Sequence, residues 1–120
     1  MLPLVTIKKR SDFLRLARSN YRWVSPGFVM FVGKSEKDFN EEVRVGFTAS
    51  KKVGKAVQRN RAKRRLRALC RDLLPQEGVP GWDHVLIART ETVTRSFGLL
   101  QSDLKSALRG LRKKVRERES

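Results

Sequence analysis

A basic segment at residues 50–71 is the part of this 120-residue chain whose side chains are best suited to bind a ligand. Lys or Arg occupies nearly half of its positions, and Asp72 is the only acid in or just after it. At about 100° per residue, Ala62, Leu66 and Leu69 lie on one stripe of a helix, and basic side chains cover the rest. Solvated charged faces usually mix the two signs. The segment therefore predicts a helix that packs on one side and binds phosphates on the other.

The candidate phosphate-binding residues share a cationic or amide side chain. They are Lys51, Lys52, Lys55, Arg59, Asn60, Arg61, Lys63, Arg64, Arg65, Arg67 and Arg71. Like charges three or four residues apart, such as Arg61 and Arg65, each cost an isolated helix a few tenths of a kcal/mol, and a polyanion removes that cost. Asn60 both donates and accepts hydrogen bonds, so it could read a base edge or brace an arginine. Arg59 points closer to the packing stripe than Arg64 does, which directs it toward a sheet.

The composition indicates the same kind of partner. The chain has 28 Lys and Arg against 12 Asp and Glu, a formal net charge of +16 and a pI near 11.3. This surplus favours nucleic acid first and an anionic membrane surface second. No apolar run approaches the ~20 residues of a membrane span, and the first ten residues lack the apolar region of a signal peptide. We expect one cytoplasmic domain with a single core.

No group of residues in the sequence has the spacing of a catalytic or metal site. The lone His84 follows Asp83, but no Ser or Cys stands in a nucleophile motif. A satisfied or exposed histidine at the start of a strand is the expected role. Cys70 lies near the apolar stripe and is expected to be a small buried residue; as the only cysteine, it excludes an internal disulfide and a CxxC cluster.

The remaining pattern predicts the elements that position these side chains. A helix is expected over residues 11–18, capped by Ser11 or Asp12, because apolar residues recur there at i, i+3 and i+4. Aromatic and β-branched residues at 21–32 indicate strands, and the strand at 28–32 is apolar on both faces. One of its faces is expected to join a core and the other to line a cleft.

A hairpin loop is expected at 33–42, followed by a half-exposed alternating strand at 43–50. The basic helix should begin near Lys55 and end before Pro75, because proline disrupts a helix interior. A short, fully apolar strand is expected at 85–88.

A second long helix should follow Thr94 as its N-cap and end in a frayed basic tail at about 113–120. The resulting order, α-β-β-β-α-β-α, predicts an α+β fold. Residues 1–120 should form a single-domain sandwich in which three helices cover a four-stranded mixed sheet.

The basic segment also matches a known family. SKKVGKAVQRNRAKRRLR, at 50–67, closely resembles the signature of the bacterial ribonuclease P protein component, in which an S/T-K-K-V-G-x-A-V loop leads into a helix that opens R-N-R-x-K-R. Arg59, Asn60 and Arg61 stand at the R-N-R positions. The match is long and specific.

The flanking segments agree with this resemblance. Residues 9–16 resemble the basic first helix of the family, 44–46 its R-V-G strand, and WDHVLIAR at 82–89 its D-x-V-x-I-A-R strand. Ala68 departs from the pattern, since many members carry Glu there, but the change removes a helix salt bridge and not a binding group.

The resemblance implies a ribosomal protein S5 domain 2-like fold with a left-handed β-α-β crossover, where general rules would favour a right-handed one. It implies the protein subunit of a ribonucleoprotein endonuclease that removes the 5′ leader of precursor tRNA by hydrolysis of one phosphodiester. In that enzyme the RNA subunit and its Mg²⁺ perform the chemistry, so the protein alone needs no cofactor. The implied partners are the catalytic RNA subunit and precursor tRNA, with no membrane and no obligate protein partner.

The resemblance also assigns two surfaces. The R-N-R region would bind the catalytic RNA, and a cleft between the first helix and the sheet would bind the single-stranded leader. By position, the cleft would include Phe13, Leu16, Ala17, Val29 and Phe31. A place in the core is the alternative for the aromatic residues among them.

Two other functions fit a basic helix. A structural RNA-binding protein of the ribosomal type would use it for assembly alone and show no preference for a leader. A helix-turn-helix DNA-binding protein would need a short partner helix nearby, and the segments expected on either side of the basic helix are a strand and a loop.

Overall fold

The computed structural model describes residues 4–35, 43–79 and 81–119. Five strands and three helices account for most of them. The strands are β1 (Leu4–Thr6), β2 (Tyr21–Val24), β3 (Phe28–Lys34), β4 (Val43–Thr48) and β5 (Trp82–Ala88). The helices are α1 (Arg10–Ala17), α2 (Ala56–Glu77) and α3 (Phe97–Glu119). The α+β class, the three helices and the mixed sheet are as expected from the sequence.

The five strands form one sheet in the order β1-β4-β5-β3-β2. β4 is parallel to both β1 and β5, whereas β3 is antiparallel to β5 and β2. Helix α2 therefore connects two neighbouring parallel strands, β4 and β5. The expected hairpin at 33–42 was wrong, because β5 lies between β3 and β4; residues 36–42 of that segment lie outside the described residues.

The prediction of four strands was also wrong. Strand β1 pairs in parallel with β4, with Val5 opposite Arg44 and Thr6 opposite Val45. Three residues are too few for a period of two to be visible in the sequence, so the strand depends on its pairing with β4.

Helices cover both faces of the sheet. Phe28, Met30 and Val32 of β3 are 0% exposed, and they pack with α2 and α3 in the main core. The opposite face of the sheet carries a smaller cluster around Leu16 of α1 and Val85 of β5. The expectation that β3 is apolar on both faces is confirmed.

The ends of α1 and α2 differ from the prediction. Lys9 precedes α1 as its N-cap, while Asp12 lies inside the helix and is buried. Helix α2 continues through Pro75, because a proline in the last turn removes only one backbone hydrogen bond. The N–H of Gly78 closes the helix by donating to the carbonyl of Leu74 at 2.8 Å.

Helix α3 begins later and ends later than expected. The Oγ of Ser96, and not Thr94, accepts the N–H of Leu99 at 3.2 Å. The tail expected to fray is helical through Glu119. Its end is held by Lys34, whose Nζ lies 2.6 Å from a carboxylate oxygen of Glu119, and by Val115, which packs on the main core.

Candidate nucleic-acid interface

The loop before α2 is built to start a helix with its basic residues outward. Val53 is buried and anchors a 3₁₀ turn whose other residues, Lys51 and Lys52, are exposed. Gly54 then has a φ of 145°, a conformation that glycine adopts without strain. Lys55 follows as the N-cap of α2.

The packing stripe predicted for α2 is confirmed. Ala62, Leu66 and Leu69 are 0% exposed and contact the main core. Cys70 is buried beside them, and desolvation raises the pKa of its thiol, which keeps it protonated and unreactive. The opposite side of α2 carries the exposed charge.

The structure separates the eleven predicted phosphate-binding residues by exposure. Most have exposed side chains: Lys51, Lys52, Lys55, Asn60, Arg61, Arg64, Arg67 and Arg71. Three are half-buried: Arg59, Lys63 and Arg65. The half-buried residues have partners or neighbours within the fold, which the sequence pattern did not distinguish.

Arg65 ties α2 to the segment before α3. One of its guanidinium nitrogens donates to the carbonyl of Val93 at 2.9 Å, and another donates to the carbonyl of Arg95. Arg61 adds a bond from its Nε to the same Val93 carbonyl at 3.2 Å. Arg59 turns back along the helix start and donates to the carbonyl of Gly54 at 3.3 Å.

Lys63 and Arg67 lie on the other flank of α2, toward the end of β4. The Arg67 guanidinium carbon lies 5.8 Å from the centre of the Phe47 ring, within the range of a cation–π contact. Arg67 is therefore placed beside an aromatic side chain near the end of β4, and Lys63 lines a groove with the same ring.

Helix α1 lies on the opposite face of the sheet, over two glycines. A Cβ at Gly33 would be 2.8 Å from Cδ2 of Leu16, and one at Gly46 would be 2.6 Å from Cζ of Phe13. Only the absence of a side chain at both positions lets α1 approach this closely.

A network of ion pairs anchors the same helix. Arg15 of α1 contacts a carboxylate oxygen of Asp83 at 2.5 Å, and the Ser35 hydroxyl donates to the other oxygen at 2.5 Å. Arg44 of β4 lies 3.4 Å from both Asp83 and Asp12. Because buried ion pairs are costly to break singly, the network fixes where α1 sits on the sheet.

Beyond α1, one row of side chains on this face is only partly covered. Val29, Ile87 and Thr48 are half-buried and stand side by side on β3, β5 and β4. Val24 of β2 pairs with Val29 and extends the row, with 53% of its surface exposed. The row forms an apolar floor open to solvent.

Thr48 also belongs to a groove of about 420 Å³ at the end of β4. Aromatic and apolar residues line it together with three cations. The lining residues are Lys8, Arg10, Phe13, Leu14, Phe47, Thr48, Ala49 and Lys63. The groove and the open row meet at Thr48, and the two surfaces together are hereafter called the α1 cleft; its three cations belong to the groove.

Four of the five residues expected in the cleft are accessible. Phe13 lines the groove, Val29 and Phe31 are half-buried on the sheet face, and Ala17 is exposed at the end of α1. Leu16 is 1% exposed, so it supports α1 from below and cannot line a cleft.

Sequence reasoning missed Ile87, Thr48 and Phe47. In the sequence, Val85 and Ile87 alternate with His84 and Leu86, which places the two pairs on opposite faces of a strand. Because the expected strand at 85–88 is apolar throughout, the alternation did not show which face is exposed. Phe47 and Thr48 could not be assigned to the cleft from the sequence, because the sequence does not show which helix ends lie beside β4.

His84 is structural, in accord with the sequence. It is 0% exposed; its Nε2 accepts the N–H of Val79 at 3.0 Å, and its Nδ1 lies 3.1 Å from the carbonyl of Arg44. Burial lowers its pKa to about 4, so the ring is neutral near pH 7. These contacts leave neither ring nitrogen for catalysis.

The buried carboxylates of the described residues do not suit a divalent cation. Asp12 and Asp83 are paired with arginines, as is Asp103, which Arg95 contacts at 2.8 Å. Within the described ranges, no three His, Cys, Asp or Glu side chains are placed to hold a metal ion. Nor is any helix in those ranges both long and apolar enough to cross a membrane.

Comparisons with known proteins agree with this geometry. The family model described as Ribonuclease P matches residues 2–112. The ribonuclease P protein component of Ruegeria pomeroyi is 51% identical over 106 residues, which cover 88% of this chain and 84% of that protein. The corresponding protein of Paramagnetospirillum magneticum is 45% identical, covering 86% of this chain and 79% of that one.

Solved structures share the fold. The RNase P protein of Thermotoga maritima aligns with a TM-score of 0.68 at 28% identity, over 86% of this chain and 94% of that one. The RNase P protein of Staphylococcus aureus aligns with a TM-score of 0.69 at 28% identity, over 87% of this chain and 92% of that one.

Proposed function

The chain belongs to the ribonuclease P protein family, and from this premise we propose that it is the protein subunit of a ribonucleoprotein that removes the 5′ leader of precursor tRNA. The observation that carries the proposal is the placement of the basic helix α2 beside the α1 cleft. One element thus offers phosphate-binding cations to a structured RNA while its flank borders a groove that combines aromatic side chains with cations, as single-strand binding sites do.

The catalytic RNA is the partner we assign to the exposed side of α2. Arg64, Asn60 and Arg71 lie along that side, and Lys55 stands at its start. Guanidinium groups can donate two parallel hydrogen bonds to a phosphate, which holds an RNA backbone in a defined orientation. These residues bind and orient the RNA subunit.

The 5′ leader is the ligand we assign to the α1 cleft. Phe13 and Phe47 offer faces on which unpaired bases can stack, and the Lys63 ammonium lies where a backbone phosphate would pass. Stacking does not depend on base identity, so this cleft would accept leaders of varied sequence.

The chemistry is proposed to lie in the RNA subunit, whose bound Mg²⁺ supplies the activation of water and the stabilisation of the leaving oxygen. The pairing of the buried carboxylates with arginines supports this division, since no group of side chains among the described residues is placed to hold that ion. The cytoplasm is the proposed location. We also assign a left-handed sense to the β4–α2–β5 crossover and an S5-like topology, both as the family resemblance implies.

A precursor-tRNA cleavage assay tests the function. We expect the RNA subunit with the protein to remove the leader faster at low Mg²⁺ than the RNA subunit alone, and the protein alone to remove nothing. Arg64→Ala should weaken the stimulation, whereas the matched variant Lys105→Ala, a charge change at an exposed site on α3, should leave it intact.

A structural RNA-binding protein of the ribosomal type remains the alternative function. It would bind RNA without any dependence on the leader. Equal affinity of the assembled ribonucleoprotein for precursor and mature tRNA, with no stimulation of cleavage, would support that alternative and contradict the proposal.

A further inference from the structure

A second groove lies on the flank of α2 that faces α3. It has a volume of about 430 Å³ and is lined by Arg61, Arg64, Arg65, Ala68 and Phe97. This surface is hereafter the α2–α3 groove. Its volume is within the ~300–1,000 Å³ of small-ligand pockets, and its lining combines three cations with one aromatic ring.

The α2–α3 groove is separate from the α1 cleft. Lys63 lines the cleft and Arg65 lines the groove, and two residues along a helix are about 200° apart around its axis. The body of α2 therefore stands between the two sites. A strand that occupies one of them cannot also occupy the other without crossing the exposed side of the helix.

The arginines of the groove are held in place before any ligand arrives. Arg61 and Arg65 donate to the carbonyl of Val93, which fixes their guanidinium groups at the groove wall. A guanidinium has five N–H donors, so these bonds leave others to bind an anion. Arg64 is exposed at the rim. No acidic residue is among those that line the groove.

Phe97 supplies the apolar part of the site. Its side chain is half-buried at the first turn of α3, where it packs on the main core and also lines the groove. A Cβ placed on the neighbouring Gly98 would meet nothing within 4 Å, so the space beside this turn is open. An aromatic side chain among arginines is the combination that binds an unstacked base and its phosphate.

We propose that the α2–α3 groove binds one unpaired nucleotide of the RNA subunit, whose base stacks on Phe97 and whose phosphate pairs with Arg64 and Arg61. The assignment rests on the proposed function. Charge complementarity selects RNA as the occupant, and the position of the groove on the side of α2 remote from the α1 cleft selects the RNA subunit over the leader.

Binding of the full chain to the RNA subunit, in the absence of tRNA, tests this site. Phe97→Ala should weaken affinity by about 5- to 150-fold, the range for the loss of one stacked base. The slope of log affinity against log salt should not change, because no phosphate contact is lost. Arg64→Ala should instead lower that slope by ~0.7 to 1. Leu99→Ala, at a neighbouring exposed residue outside the groove, is the matched control and should bind as the parent does.

Two further variants separate stacking from packing. Phe97→Leu keeps an apolar side chain on the core but has no aromatic face, so it should bind as weakly as Phe97→Ala while melting close to the parent. Phe97→Tyr should bind as tightly as the parent. Wild-type affinity of Phe97→Leu would overturn the proposal, as would a loss seen only when precursor tRNA is present.

The test also distinguishes this site from the function on which it rests. If the parent chain binds the RNA subunit with a steep salt dependence and all Phe97 variants bind equally well, the groove assignment fails and the proposed function stands. If the parent chain does not bind the RNA subunit, both fail.

Discussion

Gly46 of β4 lies directly beneath Phe13 of α1, so close that a Cβ at position 46 would be 2.6 Å from Cζ of the ring. The same Cβ would also be 3.2 Å from Cβ of Ile7. Cζ is the far end of the Phe13 side chain, but that ring packs on the cluster around Leu16, and the Ile7 atom is a Cβ next to its backbone. The geometry of the α1 cleft therefore depends on a position that has no side chain.

Gly46→Ala should consequently displace Phe13 and α1. We expect a loss of ~1–3 kcal/mol in the free energy of unfolding, as for other overpacked sites, and a weaker preference of the ribonucleoprotein for precursor over mature tRNA. Gly98→Ala is the control, since its Cβ meets nothing within 4 Å and helix propensity favours alanine. Denaturant unfolding and the two tRNA affinities measure the effect; unchanged values for Gly46→Ala would contradict this account of the cleft.

The two phenylalanines of β3 should respond differently to truncation. Phe31 is half-buried on the α1 face and Phe28 is 0% exposed on the other face. Phe31→Ala should weaken binding of precursor tRNA by ~1–3 kcal/mol and leave mature tRNA almost unaffected. Phe28→Ala should cost ~3–5 kcal/mol of fold stability and reduce both affinities through the unfolded fraction. Equal losses for the two RNAs from a well-folded Phe31→Ala protein would remove this residue from the cleft.

Arg64 and Arg65 are neighbours with different expected roles. Arg64→Ala should lower the salt slope of RNA binding by ~0.7 to 1 without changing the melting temperature. Arg65→Ala removes the donor to the carbonyls of Val93 and Arg95, so it should lower the free energy of unfolding by ~1.5–3 kcal/mol. Salt titrations and thermal melts of both variants check this. The idea is refuted if Arg65→Ala melts as the parent does.

The stability of the fold should fall as the pH is lowered from 6.5 toward 4. Desolvation lowers the pKa of the buried His84 ring to about 4, against a value near 6.5 in the unfolded chain, so unfolding takes up a proton in this window. Each pH unit should cost about 1.4 kcal/mol, and the loss should level off below the folded pKa. Nε2 of His84 now accepts the N–H of Val79. Protonation would put a hydrogen on Nε2, so that two N–H groups would face each other.

Denaturant unfolding between pH 7.5 and 5 measures this effect, because His84 is the only histidine and most carboxylates titrate at lower pH. His84→Gln should be less stable than the parent at pH 7.5 but nearly independent of pH in the same window. An equal pH slope in the two proteins would assign the effect to other groups.

The end of α3 should contribute to stability. Deletion of residues 113–120 removes Val115 from the main core and Glu119 from its contacts with Lys34 and Tyr21. We expect a lower melting temperature and less helix by circular dichroism. Arg116→Ala, at an exposed position of the same segment, should leave both values unchanged. If the truncated protein melts as the parent does, the result would support the sequence-based prediction that this tail is frayed.

The two-sided nature of α2 was determined by the sequence alone. The spacing of Ala62, Leu66 and Leu69 and the scarcity of acids around them are local properties, which a helical period converts directly into a buried stripe and a basic surface. The two apolar faces of β3 follow in the same way from a period of two. The family signature added the assignment of these surfaces to an RNA subunit and a leader.

Only the tertiary structure decided which of these side chains are also held in place by the fold. In the sequence, nothing distinguishes Arg61 and Arg65 from Arg64. In the fold, the carbonyl of Val93 accepts hydrogen bonds from Arg61 and Arg65, because the segment before α3 passes that flank of α2. Strand β5 lies between β3 and β4, which replaced the expected hairpin. The physical reason is that a local period sets which way a side chain points, whereas its partner is set by segments that are distant in the chain and meet only when the sheet closes.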